Sequence, residues 1–285
     1  MRFGIFSLRK GLTAFGVSIA AVLMASMPTS VFAQSGGGSP DQLQAMGAYK
    51  ASHDTDPHAG DSFASSSTTT RSGRTSGGSA MTASASITYS YPVNYLIGKN
   101  QQGQQTGYWC GPAAVSEAVG LWGYSYSQTT EASIMHTTSS AGTAWSGVNA
   151  AVPSAYLTGH PVRDTLDYQV AANSGSDPGY AVVAVPYTPT QTDINNYISH
   201  LQLDIWAGYP MVADAWEVAG YNHLTGHPKN QTIFHWFTII GYESNGTLTS
   251  YEDSATTVWT TVPAYTMNFN SATLVGIIGG RGYVW

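Results

Sequence analysis

The single cysteine, Cys110, is the feature that most constrains the fold of this 285-residue chain. Because the sequence has no second cysteine, Cys110 cannot form an internal disulfide, and packing, intermolecular pairing or chemistry must account for it. Residues 104–114 read Gln-Gln-Thr-Gly-Tyr-Trp-Cys-Gly-Pro-Ala-Ala. Pro112 suits the first turn of a helix, where its missing N–H removes no hydrogen bond. We therefore expect a fold without internal disulfides in which Cys110 begins a helix.

A thiol at the start of a helix is favoured as a nucleophile. An ordinary thiol has a pKa of about 8.5, and the free N–H groups and partial positive charge of a helix N-terminus lower it. Gln104 could place an amide donor beside the sulfur and stabilise an oxyanion together with the backbone N–H of Cys110. Gly111 would let a substrate backbone approach closely, and Tyr108 and Trp109 would line the substrate groove. The alternative role for Cys110 is that of a small buried hydrophobic residue.

His235 is the best candidate for the imidazole that a cysteine nucleophile needs. It begins the segment Trp236–Tyr242, which is too apolar on both faces to be an exposed strand. A polar ring at the mouth of a buried strand needs a partner or a cavity. Asp253, at the end of the next predicted strand, could accept a hydrogen bond from the ring and fix its tautomer. Glu252 and Asp214 are the alternative acids.

The turn between these two strands tests the pairing of histidine and acid. A two-residue loop at 245–246 would pair Asp253 with Thr238, on the face away from the histidine. A three-residue loop at 244–246, or a bulge with the same effect, would place Asp253 opposite Phe237, on the histidine face. A catalytic pair therefore predicts the three-residue loop or the bulge.

The other histidines carry less chemical signal. They are His53, His58, His136, His160, His200, His223 and His227. His160 and His227 share the pentapeptide Leu-Thr-Gly-His-Pro, for which two similar turns are the simplest interpretation. His223 and His227 have a spacing seen in metal sites, but Gly226 and Pro228 prevent the helical geometry that would align them. We therefore expect no metal and no other cofactor.

Composition divides the chain into three parts. Residues 1–33 have a basic start, an apolar run and a small-residue cleavage site, which together predict a secretory signal. Residues 34–86 are rich in Ser, Gly and Thr and predict a flexible linker or pro-segment, with a weak helix at 42–51. Residues 87–285 have the length of one domain. We expect a secreted, extracellular protein, or one associated with the cell wall, that is not held in a membrane after signal cleavage.

Charge argues against nucleic acid as a partner. After removal of the predicted signal, 7 Lys+Arg remain against 16 Asp+Glu. Phosphate binding depends on clustered basic residues, which this balance does not provide. The expected partner is a peptide or protein substrate.

Periodicity predicts an α+β fold. Helices are predicted where apolar residues recur at helical spacing, and strands where short apolar runs are bounded by turn residues. The predicted helices span 113–122 and 194–205, with a capping region at 192–193. The predicted strands span 93–97, 210–215, 233–242, 248–252 and 274–278. Because the helices come first and the strands follow, the sheet should be antiparallel.

Three segments together resemble a known family. These are Gln-x5-Cys-Gly-Pro-Ala-Ala at 104–114, His-Trp-Phe-Thr-Ile-Ile-Gly-Tyr at 235–242, and Asp-Ser at 253–254. They resemble the bacteriocin-processing (double-glycine) peptidase-like family of papain-like fold, over roughly residues 91–255. The resemblance implies that a helix carrying the cysteine packs on an antiparallel sheet that carries the histidine and the acid.

The resemblance also implies residue roles. Cys110 would be the nucleophile, His235 the base, Asp253 the group that orients the base, and Gln104 the oxyanion donor, with Gln105 as the fallback. The predicted function is that of a secreted cysteine peptidase that cleaves peptide or isopeptide bonds through a thioester acyl-enzyme. The alternatives are a cell-wall amide hydrolase and an inactive exported binding module on the same fold. Transporter-linked members cut leader peptides on the cytoplasmic side, so their double-glycine substrate is not expected for an exported chain.

Overall fold

Six α-helices and seven β-strands form the described part of the chain, residues 40–53 and 90–285 of a computed structural model. The helices are α1 Pro40–His53, α2 Cys110–Leu121, α3 Gln128–Ile134, α4 Pro161–Ser174, α5 Gln191–Ala207 and α6 Ser271–Ile277. The strands are β1 Tyr95–Leu96, β2 Val182–Ala184, β3 Met211–Glu217, β4 Ile233–Glu243, β5 Leu248–Glu252, β6 Tyr265–Asn270 and β7 Gly282–Val284. Short 3₁₀ turns occupy Ser154–Tyr156, Ser244–Gly246 and Ser254–Thr257. The predicted signal at 1–33 lies outside the described residues.

All the strands belong to one antiparallel sheet, with the order β2-β7-β3-β4-β5-β6. The short strand β1 pairs with the far end of β4, where Tyr95 lies opposite Tyr242. Helices cover both faces of this sheet. Together these layers confirm the predicted α+β class and the antiparallel sheet. No helix within 40–53 or 90–285 combines the length and apolar character needed to cross a bilayer.

The two faces of the sheet hold two separate apolar clusters. On one face, α5 and α6 pack on alternating residues of the central strands, such as Ala213 and Phe237. On the other face, α2 and α4 pack on the residues between them, such as Val212 and Trp236. This alternation is the period-two pattern of a strand that is buried on both sides. Strand β3 is accordingly buried at every position.

Helix α5 begins and ends at strong local signals. The Thr190 side chain accepts the N–H of Asp193, and the Asp193 carboxylate accepts the N–H of Thr190, which forms a capping box. Gly208 ends the helix with a left-handed backbone at φ +87. The predicted helix at 194–205 is thus confirmed, and its cap lies two residues before the predicted 192–193.

The β4–β5 hairpin reaches the expected register by a bulge. Glu243 pairs with Leu248, so the loop has four residues and the predicted three-residue loop is wrong. The pairing then shifts by one residue between Ile239 and Gly241 of β4. Continued past Glu252, which pairs with Thr238, this register places the next residue, Asp253, opposite Phe237. The bulge alternative is therefore confirmed.

The segment 274–278 is helical, which contradicts the predicted strand. Asn270 Oδ1 accepts the N–H of Thr273 at 2.8 Å and caps α6. Leu274, Val275 and their apolar neighbours are all buried. A short run that is buried on every side has no exposed face, so its pattern does not distinguish a helix from a strand.

Helix α1 docks on the domain through two buried side chains. Met46 packs with Trp216 and Val218. The Lys50 side chain is fully buried, and its ammonium donates to three carbonyl oxygens at the C-terminal end of α6 and just after it. These oxygens belong to Gly276 at 3.1 Å, Ile277 at 2.9 Å and Gly279 at 2.7 Å. The expected weak helix at 42–51 is therefore longer than predicted and is anchored to the domain.

Candidate active site

Cys110 is the first residue of α2, as the sequence predicts. Trp109 precedes the helix, and its side chain makes no capping hydrogen bond. The first N–H groups of a helix have no acceptor within the helix. The N–H groups of Cys110 and Gly111 are therefore not used by the hydrogen bonds of α2. Cys110 is 9% exposed, and its side chain interacts with the ring of His235 closely enough to raise the pKa of that ring.

The ring of His235 joins the sulfur to Asp253. His235 Nε2 donates to Asp253 Oδ1 at 2.9 Å, which leaves Nδ1 as the ring nitrogen for the Cys110 side chain. Burial by itself lowers the pKa of His235, but the Asp253 carboxylate and the bonds to Asp253 and Cys110 outweigh burial and raise it well above the ordinary value. The arrangement therefore favours a protonated imidazole next to the sulfur.

Asp253 is the acid that faces the imidazole. Burial opposes ionisation, but the charge of His235 and the hydrogen bonds from His227 and His235 hold the pKa of Asp253 well below its ordinary value. The alternative acids lie elsewhere. Glu252 accepts the backbone N–H of Asn100, and Asp214 lies 3.9 Å from the guanidinium of Arg281.

The side chain of Gln104 is held next to the Asp253 turn. Its Nε2 donates to the carbonyl of Thr106 at 2.8 Å, and its Oε1 accepts from Ser254 Oγ at 3.3 Å. Only 4% of Gln104 is exposed, whereas Gln105 is exposed. Of the two glutamines that the sequence leaves open, Gln104 is the one that packs within the site.

One buried acid and one buried amide hold the backbone before Cys110 in place. The Oε1 atom of Glu117 accepts the N–H of Gln102 at 2.9 Å, and its Oε2 atom accepts from Thr238 Oγ1 at 2.8 Å. Gln128 accepts the N–H of Gln105 at 2.9 Å and donates to the carbonyl of Gly103 at 3.0 Å. Burial raises the pKa of Glu117 well above its ordinary value. These positioning contacts join α2, α3 and β4, and the sequence pattern does not reveal them.

Gly111 is required by packing inside the protein. A Cβ atom at this position would lie 2.3 Å from Thr143 Oγ1, so the space next to Gly111 is filled by Thr143. The sequence suggests that Gly111 leaves room for a substrate backbone. The structure instead explains this glycine by its close packing against Thr143. Tyr108 and Trp109 are half-buried and meet edge to face, with ring centroids 6.3 Å apart.

A second histidine, His227, contacts the same carboxylate as His235. His227 Nε2 lies 3.1 Å from Asp253 Oδ2, and His227 Nδ1 lies 2.8 Å from Glu217 Oε2. The other oxygen of Glu217 accepts the N–H of Leu224 at 2.6 Å. The sequence predicts a turn at His227 and argues against a metal site there, and it does not indicate this contact with Asp253. The signal that could have indicated this pair is Glu217, an acid at the end of a strand whose other residues are mostly apolar.

The donor atoms of His227, His235 and Asp253 lie close enough together to hold a metal ion. The Nε2 atoms of His227 and His235 each hydrogen-bond to one oxygen of the Asp253 carboxylate. The polar groups of the cluster are thus satisfied by one another.

The comparison with family models identifies the group to which this site belongs. The model of the Peptidase_C39 like family matches residues 94–273, which is more than half of the chain. The chain belongs to the Peptidase_C39 like family. This confirms the resemblance, and the matched region of this Peptidase_C39 like protein contains Gln104, Cys110, His235 and Asp253. Membership supports a peptidase-like function of the cysteine type at the level of the family.

Other comparisons are more distant. A crystal structure of a protein described as a candidate C39-like peptidase, from Bacillus anthracis, is 11% identical to this chain. The alignment covers 67% of this chain and 96% of that one, with a TM-score of 0.40. No curated protein sequence matches this chain.

Proposed function

We propose that this chain is a cysteine peptidase that hydrolyses peptide or isopeptide bonds through a thioester acyl-enzyme. One observation carries the proposal: Cys110 begins α2 and its side chain interacts with the ring of His235, and Nε2 of His235 donates to Asp253 at 2.9 Å. A nucleophile, a base and a group that orients the base are what covalent acyl transfer requires.

The proposed reaction uses the proton held between sulfur and imidazole. The Cys110 thiolate attacks the carbonyl carbon, and the C–N bond breaks as Nδ1–H of His235 gives its proton to the leaving amine. The neutral imidazole then takes a proton from water, whose oxygen attacks the thioester carbon; the C–S bond breaks, the acid is released, and the thiolate and the protonated imidazole are restored. Asp253 keeps Nε2 protonated throughout, so Nδ1 is the nitrogen that exchanges the proton.

The oxyanion would be stabilised from two sides. The N–H of Cys110 comes from the uncapped first turn of α2, and Gln104 is buried next to Ser254. An amide nitrogen carries two N–H groups, and only one of them is needed for the bond from Gln104 to Thr106. The half-buried rings of Tyr108 and Trp109 adjoin Cys110 in sequence and would contact the substrate.

Export is a further part of the proposal. Residues 1–33 carry the basic, apolar and small-residue regions of a secretory signal. Expression of the full chain in a secreting bacterial host should release protein that begins near Gln34. Mass spectrometry of the protein in the medium measures this N-terminus, and an intact residue 1 on cell-bound protein would contradict export.

The decisive test measures the reactivity of the thiol. The rate of Cys110 alkylation by iodoacetamide is followed from pH 4 to 10 for the wild type and for His235→Ala, with Cys110→Ser as the blank. An activated thiol reacts well below its ordinary pKa of about 8.5, and His235→Ala should remove that advantage. Alkylation only near pH 8.5 in the wild type would falsify the peptidase proposal. Panels of fluorogenic peptides and of muropeptides then separate a peptidase from a cell-wall amide hydrolase.

A further inference from the structure

His227 is a buried imidazole between two carboxylates. Its side chain and those of Asp253 and Glu217 have no solvent exposure. An ionised carboxylate accepts hydrogen bonds but does not donate them, so the ring donates from both nitrogens and carries a positive charge. Burial lowers the pKa of His227, but the bonds to Asp253 and Glu217 outweigh burial and raise it above the ordinary value.

The positive charge of His227 lies next to the reacting groups. The ring centroids of His227 and His235 are 4.9 Å apart, and both rings donate to the same carboxylate of Asp253. Asp253 therefore divides its negative charge between two imidazoles. A fixed cation at this distance makes loss of a proton easier for the imidazolium of His235.

We propose that the Glu217–His227 pair positions Asp253 and sets the pH range over which the thiolate and imidazolium of Cys110 and His235 coexist. This inference rests on the proposed function. Both residues are positioning residues, since each acts on the reacting atoms through Asp253 or through its charge. Glu217 is itself fixed, because its second oxygen accepts the N–H of Leu224.

Other ionisable groups near Glu217, His227 and Asp253 interact with them electrostatically. Besides the two histidines, the described groups that interact electrostatically with Asp253 or Glu217 include Tyr251 of β5, Glu117 of α2 and Lys50 of α1. The charge of Asp253 helps to raise the pKa of Tyr251 and that of Glu117. The charge of Glu217 raises the pKa of Lys50, but burial outweighs it and lowers that pKa. Within the described residues, His227 and His235 are the two imidazoles that hydrogen-bond to the Asp253 carboxylate.

The test separates the charge of His227 from its hydrogen bond. His227→Gln keeps a donor for Asp253 and loses the charge, whereas His227→Phe loses both. In the full chain, the alkylation midpoint of Cys110 and the histidine NMR titration of His235 are measured against pH. Removing a positive charge raises the pKa of its neighbours, so both midpoints should rise by about one pH unit in both variants.

A matched control comes from His223, which lies with His227 in the loop between β3 and β4. His223 is 6% exposed and its ring nitrogens face the carbonyls of Tyr221 and Gln231, outside the site. His223→Gln should leave both midpoints unchanged, even where it lowers the melting temperature. Should His227→Phe fail to fold, Glu217→Gln serves as a second variant. Its amide nitrogen would face Nδ1 of His227 and make that ring neutral, so the midpoints should again rise.

The two proposals fail in different ways. An ordinary midpoint near pH 8.5 in the wild type overturns the peptidase proposal itself. An activated wild type whose midpoints stay within about 0.2 pH unit in the His227 variants overturns only the role of the Glu217–His227 pair. Equal shifts in His223→Gln would show a general structural effect and would also overturn that role.

Discussion

His235 Nε2 and Asp253 Oδ1 lie 2.9 Å apart, with 3% and 0% of the two side chains exposed to solvent. Little water can compete for this hydrogen bond, so the carboxylate acts on the imidazole through a medium of low polarity. The consequences of this one contact are testable.

Asp253→Asn should disable the site. The amide oxygen can still accept from His235, but the amide nitrogen would then face the N–H of His227, which loses its acceptor. The negative charge that stabilises the imidazolium is also lost, so the pKa of His235 falls. We expect the alkylation advantage of Cys110 below pH 8 to disappear and any peptidase activity to fall by about 10²- to 10⁴-fold. Asp214→Asn is the matched control, since Asp214 lies near Arg281 instead. Equal losses in both variants would contradict the assignment of Asp253.

Glu131 makes stability depend on pH. Burial is the main reason that its pKa is raised to about 8, and the hydrogen bond from Gln169 at 2.9 Å only partly opposes this. The unfolded chain ionises Glu at about 4.3. Because ionisation is easier in the unfolded state, stability falls as pH rises from about 4 to about 8.

Glu131→Gln should remove that loss. The amide can pair with Gln169 and carries no charge, so the variant should match the wild type near pH 4.5. At pH 8 it should be more stable by on the order of 2 kcal/mol. Urea unfolding followed by circular dichroism at several pH values measures the difference. A difference that does not change with pH would contradict the buried, protonated state of Glu131.

Lys50→Met should release helix α1. Methionine fills similar space but cannot donate to the carbonyls of Ile277 and Gly279, which would lose this donor at a cost of about 1–3 kcal/mol each. The carbonyl of Gly276 would lose it too but still accepts the N–H of Gly279 at 3.3 Å. Hydrogen exchange should show faster exchange in α1 and at the end of α6. Gln44→Ala, on the exposed side of α1, is the control and should keep the wild-type protection. Unchanged exchange in Lys50→Met would show that the lysine is not the anchor.

Gly111→Ala should distort the start of α2. The added Cβ would lie 2.3 Å from Thr143 Oγ1 and 2.6 Å from Thr143 Cβ, so one of the two segments must move. Overpacking of this kind costs about 1–3 kcal/mol. Cys110 alkylation should slow at the same time. The double variant with Thr143→Gly frees the space and should restore most of the stability, whereas no rescue would locate the clash elsewhere.

The elements that the sequence predicts well are those with a clear period and clear ends. Helix α5 has an apolar stripe, a capping box and a terminal glycine, and strand β5 matches its predicted span of 248–252. The cysteine, the histidine and the acid could be found because each lies at the end of such an element. The meeting of the histidine with the acid depends on the β4–β5 register, which the bulge sets, and the meeting with the cysteine depends on the packing of α2 on the sheet.

The features that the sequence does not predict depend on contacts between distant segments. His227 lies 26 positions from Asp253, and nothing local to a Gly-His-Pro turn indicates a carboxylate nearby. Glu117 and Gln128 likewise act on backbone groups in a loop well before them in sequence. The secondary structure of a short, fully buried segment is hard to predict for another reason. The run at 274–278 lacks the polar face that would show whether its period is that of a helix or a strand.

The place of β7 in the sheet has a consequence for biosynthesis. This strand, Gly282–Val284, lies between β2 and β3 and pairs with both. The two earlier strands can therefore not be joined in the sheet until residues 282–284 have left the ribosome. Assembly of the sheet must finish after translation of the domain, and a truncation at 273, where the family match ends, would leave β2 without its neighbour.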